Sequence, residues 1–566
     1  MAEFRQSSFI AGIVGPALWG RTDLPKLAHA LREGRNVLIR PEGSILNRSG
    51  FSFCGDTYTN GAAKIFPARF SVNLVDMDCL IEITNLRTRV WQNGAVHTDL
   101  GATIWATADL PYLKVAQAGT IVSILCPNRQ PYEISWNGSA FSIAAASFAT
   151  NMNAPTGGSV PVSPTADTAH PAKNWGWQVT SVGTDGLTES APMTIADADR
   201  VIYSDKPTKI QWSAPVGGGT VLYYNIYRGR NGLYGFIGQT PNLNYWDDGV
   251  APAYSVNPPA ANNGDPFIGA SDKPTCMTYH QQRSVYANTK NDPQGIWASR
   301  VAAFYNFNYG QPPTDSDAIL TGVASKKFED IMWLVSFAPL IVGTSAGEWA
   351  LLGADGVFSP NALSLIPISY WGSSRVDPEV VGNSILFVQS RGAMIRDMEV
   401  RGQEVAPGRD LSLLANNLFR GYTITKLAYA LEPYRTLWAV RSDGKLLSCT
   451  YVQESETYAW AWHDNSAFTF SDIAVVKENN QDVLYASVLY GGNYYILRST
   501  TRERTTLSDH TLLDFERSYS GAPATVIPVA APIGSAGGIY ALADGVVRGP
   551  FTASGGNITL PVAASS

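Results

Sequence analysis

The feature that most constrains this chain is a hairpin that keeps returning. In RTLWAVRSDGKLLSCTY, residues 435–451, an apolar run meets the polar turn RSDG and a second apolar run leaves it. Glycine accepts the positive φ that a tight strand-to-strand turn demands. Aligned on that glycine, the siblings are Gly295 in RSVYANTKNDPQGIWASR, Gly347 in PLIVGTSAGEWALLG, Gly392 in SILFVQSRGAMIRDM, Gly444 in the first stretch, Gly492 in VLYASVLYGGNYYILRS and Gly545 in GIYALADGVVRG. They follow one another at intervals of 52, 45, 52, 48 and 53 residues. Each interval has room for about four short strands, and most show no helical period longer than a turn or two.

A strand-built unit of this length cannot bury both faces of its sheet alone. Stacking such units around an axis covers both faces and leaves only short edges. The expected fold is therefore mainly β, a β-propeller of six blades marked by the six glycines. An alternative for the last hairpin is a separate terminal module, with N-terminal strands closing the ring. Composition agrees: only 16% of residues are charged, against 15 Trp, 26 Tyr and 51 Gly, a mixture suited to sheets and turns.

Four segments follow from shifts in pattern. Residues 1–150 form a β-rich segment, part of the propeller or its platform. It carries one short helix, expected where Leu24, Leu27, Ala28 and Leu31 make a stripe between a Thr22 or Asp23 cap and Gly34. Residues 151–262 are a Pro/Gly/Ser/Thr-rich linker and then a sandwich. Its Trp212 strand and the strand from Tyr224 to Arg228 resemble a fibronectin type III domain. Residues 263–505 hold the blades, and 506–566 form a C-terminal β module, a ring-closing blade or a tip.

Reactive chemistry is sparse. The six histidines, at 29, 97, 170, 280, 463 and 510, have no zinc-type spacing. The acidic pairs at 76–78 and 247–248 read as turn or loop residues. A sialidase-type turn, Ser-x-Asp-x-Gly-x-x-Trp, is approached only by Ser442-Asp443-Gly444, which lacks the spacer and the Trp. The reading is no catalytic, metal or cofactor site and no enzyme. Five widely spaced cysteines are expected as free thiols. A net charge of −6 does not suit a surface built to grip nucleic acid, and no apolar run is long enough for a membrane-spanning helix.

The opening, GRTDLPKLAHALREGRNVLIRPEGSILNRSG, resembles that of tail nozzle proteins (tail tubular protein B) of short-tailed bacteriophages. Arg21, Asp23, Asn36, Gly43, Arg48 and Gly50 fall on that pattern, with Ser49 where Pro is usual. LPYLKVAQAGTIVSILCPNRQPYEI, IVGTSAGEWALLG, VVGNSILFVQSRGAMIRDM and AWAWHDN are similar to later parts of the family. The resemblance implies a structural virion protein in the viral tail, assembled in the host bacterial cytoplasm. It would form a homo-hexamer below the tail adaptor ring and portal, retain packaged DNA and conduct it during ejection. The six pattern positions would then lie at subunit or adaptor contacts. Double-stranded DNA would pass the lumen without specific binding, since an acidic lining repels phosphate. Tail fibres or spikes are further candidate partners. The alternative is a propeller that binds or hydrolyses host surface polysaccharide.

Overall fold

The computed structural model describes residues 6, 8–21, 23–148, 152–186, 188–259, 264–309, 313–325, 327–500, 514–516, 519, 521–529 and 537–564. Among them, seven sheets share one plan, in which antiparallel strands are joined in sequence by hairpins. These are β-propeller blades, and their strands span 64–102, 114–145, 276–322, 331–369, 379–410, 424–463 and 468–499. The last sheet is completed from elsewhere, because Phe51–Asp56 pairs antiparallel with Asn493–Ser499.

Seven blades, rather than six, follow from the turns. Gly295, Gly347, Gly392, Gly444 and Gly492 all stand between the second and third strands of the last five blades, or at the start of the third. The first two blades make the same turn without glycine. There Leu86 and Asn128 take φ of 56° and 59°, so a search keyed on glycine passes over them. Gly545 has the expected positive φ of 81°, but its hairpin joins Gly537–Ala543 to Val546–Thr552 in a two-stranded sheet outside the blades.

The turns do more than reverse the chain. The Gly392 carbonyl accepts the Ile424 N–H of the following blade at 2.8 Å, and the Gly444 carbonyl accepts that of Phe470 at 2.8 Å. A Cβ on Gly444 would lie 2.5 Å from Thr469 Cβ, and one on Gly392 would lie 2.9 Å from Thr423 Cγ2. Glycine is thus required at both places for close approach as well as for φ.

The chain divides into two compact units, one of residues 1–67, 78–99 and 428–566 and one of 68–77 and 100–427. In the first, Leu38, Phe51, Trp438, Leu446, Ile473, Leu484 and Leu497 fill the space between the sixth and seventh blades. In the second, Val285, Ile296, Leu340, Val342 and Trp349 join the third and fourth blades. Trp333, Ile341, Ile385, Phe387 and Met398 join the fourth and fifth. Every such seam is its own apolar cluster, as stacked sheets with two buried faces require.

The 151–262 segment holds a seven-stranded sandwich. Thr156–Val162, Thr208–Ser213 and Asn244–Asp247 form one sheet, while Met193–Arg200, Lys173–Gly183, Val221–Arg230 and Leu233–Thr240 form the other. Trp177, Ile210, Trp212, Tyr224 and Ile226 are buried between them. The helix expected near residue 24 is a 3-10 turn, Pro25–His29, followed by the strand Ala30–Leu31. That strand pairs in parallel with Gly12–Ile13, so sheet pairing claims the second half of the apolar stripe. Thr22, one of its two candidate caps, lies outside the described residues. Asp76–Asp78 lie within the strand Val75–Thr84 rather than in a turn.

Gly444→Ala and Gly492→Ala separate the two roles of the turn glycine. Both impose left-handed strain of about 1–2 kcal/mol, but a Cβ at 492 meets nothing within 4 Å. The Gly444 variant should be less stable than the Gly492 variant by a further ~1–3 kcal/mol, measured by denaturant unfolding. Equal losses would reduce the close approach at Gly444 to an ordinary contact.

Candidate functional site

The first strands of the second to fifth blades, or the residues just before them, line a common cavity of about 380 Å³. Their outward residues bring charge into it. Lys114 opens the strand Lys114–Ala118 and is buried. Its ammonium donates to the Met332 carbonyl at 2.6 Å and to Asp377 Oδ1 at 2.7 Å, so one side chain ties three blades together. Cys276 Sγ donates to the same Met332 carbonyl at 3.1 Å. Glu379, half-buried two residues beyond Asp377, has its carboxyl pushed up to about 8. Burial is the main cause; Lys426 opposes it and Asp377 adds to it. Pro378 and Val380 line the cavity and Glu379 between them does not, so the charge in its wall is the Lys114–Asp377 pair. A cavity with one buried lysine and one carboxylate in its wall can hold a small polar group.

Sequence reasoning did not find these residues. The available signal was a lysine in the apolar strand LKVAQA and the acidic pair in DPEV, and neither identifies its neighbours.

The six family-pattern positions lie elsewhere. Arg21 and Asp23 are exposed and pair with each other, Nε to Oδ1 at 2.8 Å. Three of the other four, Asn36, Arg48 and Gly50, hold the N-terminal segment to the sixth and seventh blades, while Gly43 packs within the segment itself. Asn36, at φ 55°, donates its N–H to the Trp462 carbonyl at 2.8 Å and brackets Asp464 with its side-chain amide. Gly43, at φ 94°, leaves no room for a Cβ beside Ser8. Arg48 is buried and makes a two-pronged bond to Asp514 at 3.0 and 2.9 Å, with its guanidinium 5.0 Å from the Phe51 ring centre. The Gly50 carbonyl accepts both the N–H and the hydroxyl of Thr500.

Other reactive groups serve packing. His463 is fully buried, its Nε2 2.8 Å from Ser448 Oγ, and burial pulls its imidazole well down. Asp247 accepts from Arg228 and from the Trp177 indole inside the sandwich. All five cysteines are free. Sequence reasoning missed one pattern: Gly343-Thr344-Ser345-Ala346-Gly347 has Gly-x-Ser-x-Gly spacing. It joins the strands Leu340–Thr344 and Glu348–Gly353, whereas a nucleophile elbow joins strand to helix. Ser345 Oγ accepts the Asp330 N–H at 3.1 Å. Among the described residues no group of three metal-ligating side chains occurs.

Two outcomes are expected. Between the ordinary carboxyl range and about pH 8, only the folded chain keeps the Glu379 proton, so stability falls as pH rises through that window. Glu379→Gln should remove that part of the fall, seen as a smaller drop in melting temperature from about pH 5 to about pH 8.5; an unchanged drop would rule Glu379 out as its source. Asp514→Ala leaves Arg48 buried without its partner and should cost about 3–5 kcal/mol. Arg48→Met with Asp514→Leu should recover most of that loss in the same unfolding assay.

No protein-family model matches the chain, and no curated protein matches it in sequence. Solved structures with similar folds include the Neurospora crassa Pan2 WD40 domain, 7% identical, with a TM-score of 0.36 over 81% of this chain and 99% of that one. The Myceliophteria thermophila Cps50 (Swd1) β-propeller domain is 9% identical, with a TM-score of 0.34 over 80% and 98%. YCF48 bound to D1 peptide is also 9% identical, with a TM-score of 0.33 over 78% and 94%.

Proposed function

We propose that this chain is a structural subunit of a short-tailed phage, the nozzle protein that assembles as a hexamer below the adaptor ring, retains packaged DNA and conducts it outward. The observation that carries the reading is the use made of the opening segment. Asn36, Arg48 and Gly50, three positions of the nozzle pattern, lock that segment onto the last two blades through backbone-specific bonds and a buried ion pair, and Gly43 folds the segment on itself beside Ser8. A pattern tied to such geometry has a physical reason to accompany this architecture.

Exposed apolar groups support a role in assembly. On the C-terminal sheets Val526, Tyr540, Val547 and Val562 are more than half exposed. At the tip of the hairpin between Lys64–Val72 and Val75–Thr84, Leu74 is fully exposed and held at φ 65°. Apolar side chains presented this way suit subunit contacts. Six copies, each at −6, also give a ring whose net charge does not favour adhesion to DNA.

Electron microscopy of intact particles tests the reading. Density for six copies of this chain in a ring at the tail is the expected result, and particles made without the chain should package DNA and then lose it. Absence of the chain from purified virions would overturn the assignment.

A further inference from the structure

A cavity of about 280 Å³ lies where the N-terminal segment meets the sixth and seventh blades. Its floor is apolar, made by Leu38, Phe51, Trp438 and Leu484 of the cluster that joins these blades. The cations in its wall are already committed. Arg48 is held by Asp514 on two bonds, and Arg498 donates its Nε–H to Glu478 at 2.9 Å. Two wall carboxylates have no cation of this kind among the described residues. Glu432 is exposed, and no protein group holds its side chain. Asp482 accepts the Leu431 and Glu432 N–H groups on Oδ2, at 2.6 and 3.1 Å, and leaves Oδ1 open. The Asp482 N–H in turn donates to the Glu432 carbonyl at 3.2 Å, so the two acids share one corner of the cavity.

Thr436 and Trp438 stand two apart on the strand Thr436–Arg441, so their side chains leave the same face. Both line the cavity, and they are only 4% and 7% exposed. The Thr436 hydroxyl and the Trp438 indole N–H have no protein partner, yet both keep accessible surface. Donors on residues this buried ordinarily find an acceptor. Here the acceptor must come from whatever fills the cavity.

We infer that this cavity takes a lysine side chain presented by an exposed segment of a protein partner. The ammonium is a compact point charge with three donors, which suits two carboxylates at one corner better than a planar guanidinium does. Its four-carbon stem lies along the apolar floor, and the lysine's own backbone carbonyl accepts from the Thr436 hydroxyl and the Trp438 indole. Whole small-molecule sites span roughly 300–1,000 Å³, so a cavity at the bottom of that range fits one long side chain. The site lies within one compact unit, and the inference does not rest on the nozzle reading.

Calorimetric titration of the full chain with the capped tripeptide acetyl-Gly-Lys-Gly-amide tests it. One tripeptide should bind per chain, more weakly as salt is raised, while the tripeptide with norleucine in place of lysine gives no signal. Cadaverine, which has the ammonium and the stem but no carbonyl, should bind more weakly than the lysine tripeptide. Glu432→Gln and Thr436→Val should each weaken the lysine tripeptide by about fivefold. Neither should lower the melting temperature, because Glu432 is exposed and the Thr436 hydroxyl bonds nothing in the free protein. No binding of the lysine tripeptide, equal binding of the norleucine one, or full affinity in both variants would overturn the site. Cadaverine binding as tightly as the tripeptide would overturn the peptide partner in favour of a free amine.

Discussion

At two of its turns, Gly392 and Gly444, a bond from the turn carbonyl to the next strand sets how neighbouring sheets meet. Each blade must lie against its successor at one spacing, and apolar seams alone do not set that spacing, because side chains slide and repack. A backbone carbonyl presented by a hairpin does set it. At Gly392 and Gly444 the accepted N–H belongs to the first strand of the following sheet, and the missing side chain is what lets that strand approach. The apolar cluster between the sixth and seventh blades then fills a gap whose width the Gly444 bond has fixed.

This explains what sequence could and could not reveal. The repeat was legible because a glycine recurs at the same corner of five blades; at Gly392 and Gly444 it both turns the chain and admits the neighbour, and at Gly492 it serves the turn alone. Blades that turn on Leu86 and Asn128 were invisible to that marker, although their strands read clearly as strands. The sandwich was legible from Trp212 and the Tyr224–Arg228 alternation, since both lie on its buried faces. The stripe at 24–31 misled because a few apolar residues fit a helix or a turn followed by a short strand equally well. The charge clusters were illegible for a different reason. Lys114 and Asp377 stand 263 residues apart, as do Arg48 and Asp514 across 466. Nothing local marks either pair.

Charge is used sparingly, and three of its pairs are inside. Arg48 with Asp514, Arg228 with Asp247 and Arg300 with Asp317 are all buried or nearly so. Such pairs add little net stability over an apolar replacement but penalise every arrangement that leaves one partner alone. In a protein made of similar sheets that penalty has a use, because apolar seams of related shape could otherwise interchange.

The last sheet, in which Phe51–Asp56 lies between Asn493–Ser499 and Asp514–Glu516, also has a consequence in time. At about 5–20 residues per second, the ribosome needs roughly half a minute to a minute and a half between the first of these strands and its mate. Throughout that period an apolar edge emerges early and stays unmatched, open to any passing strand. Final closure falls due only once Ser499 has left the exit tunnel, so a chain truncated before it keeps its seam open.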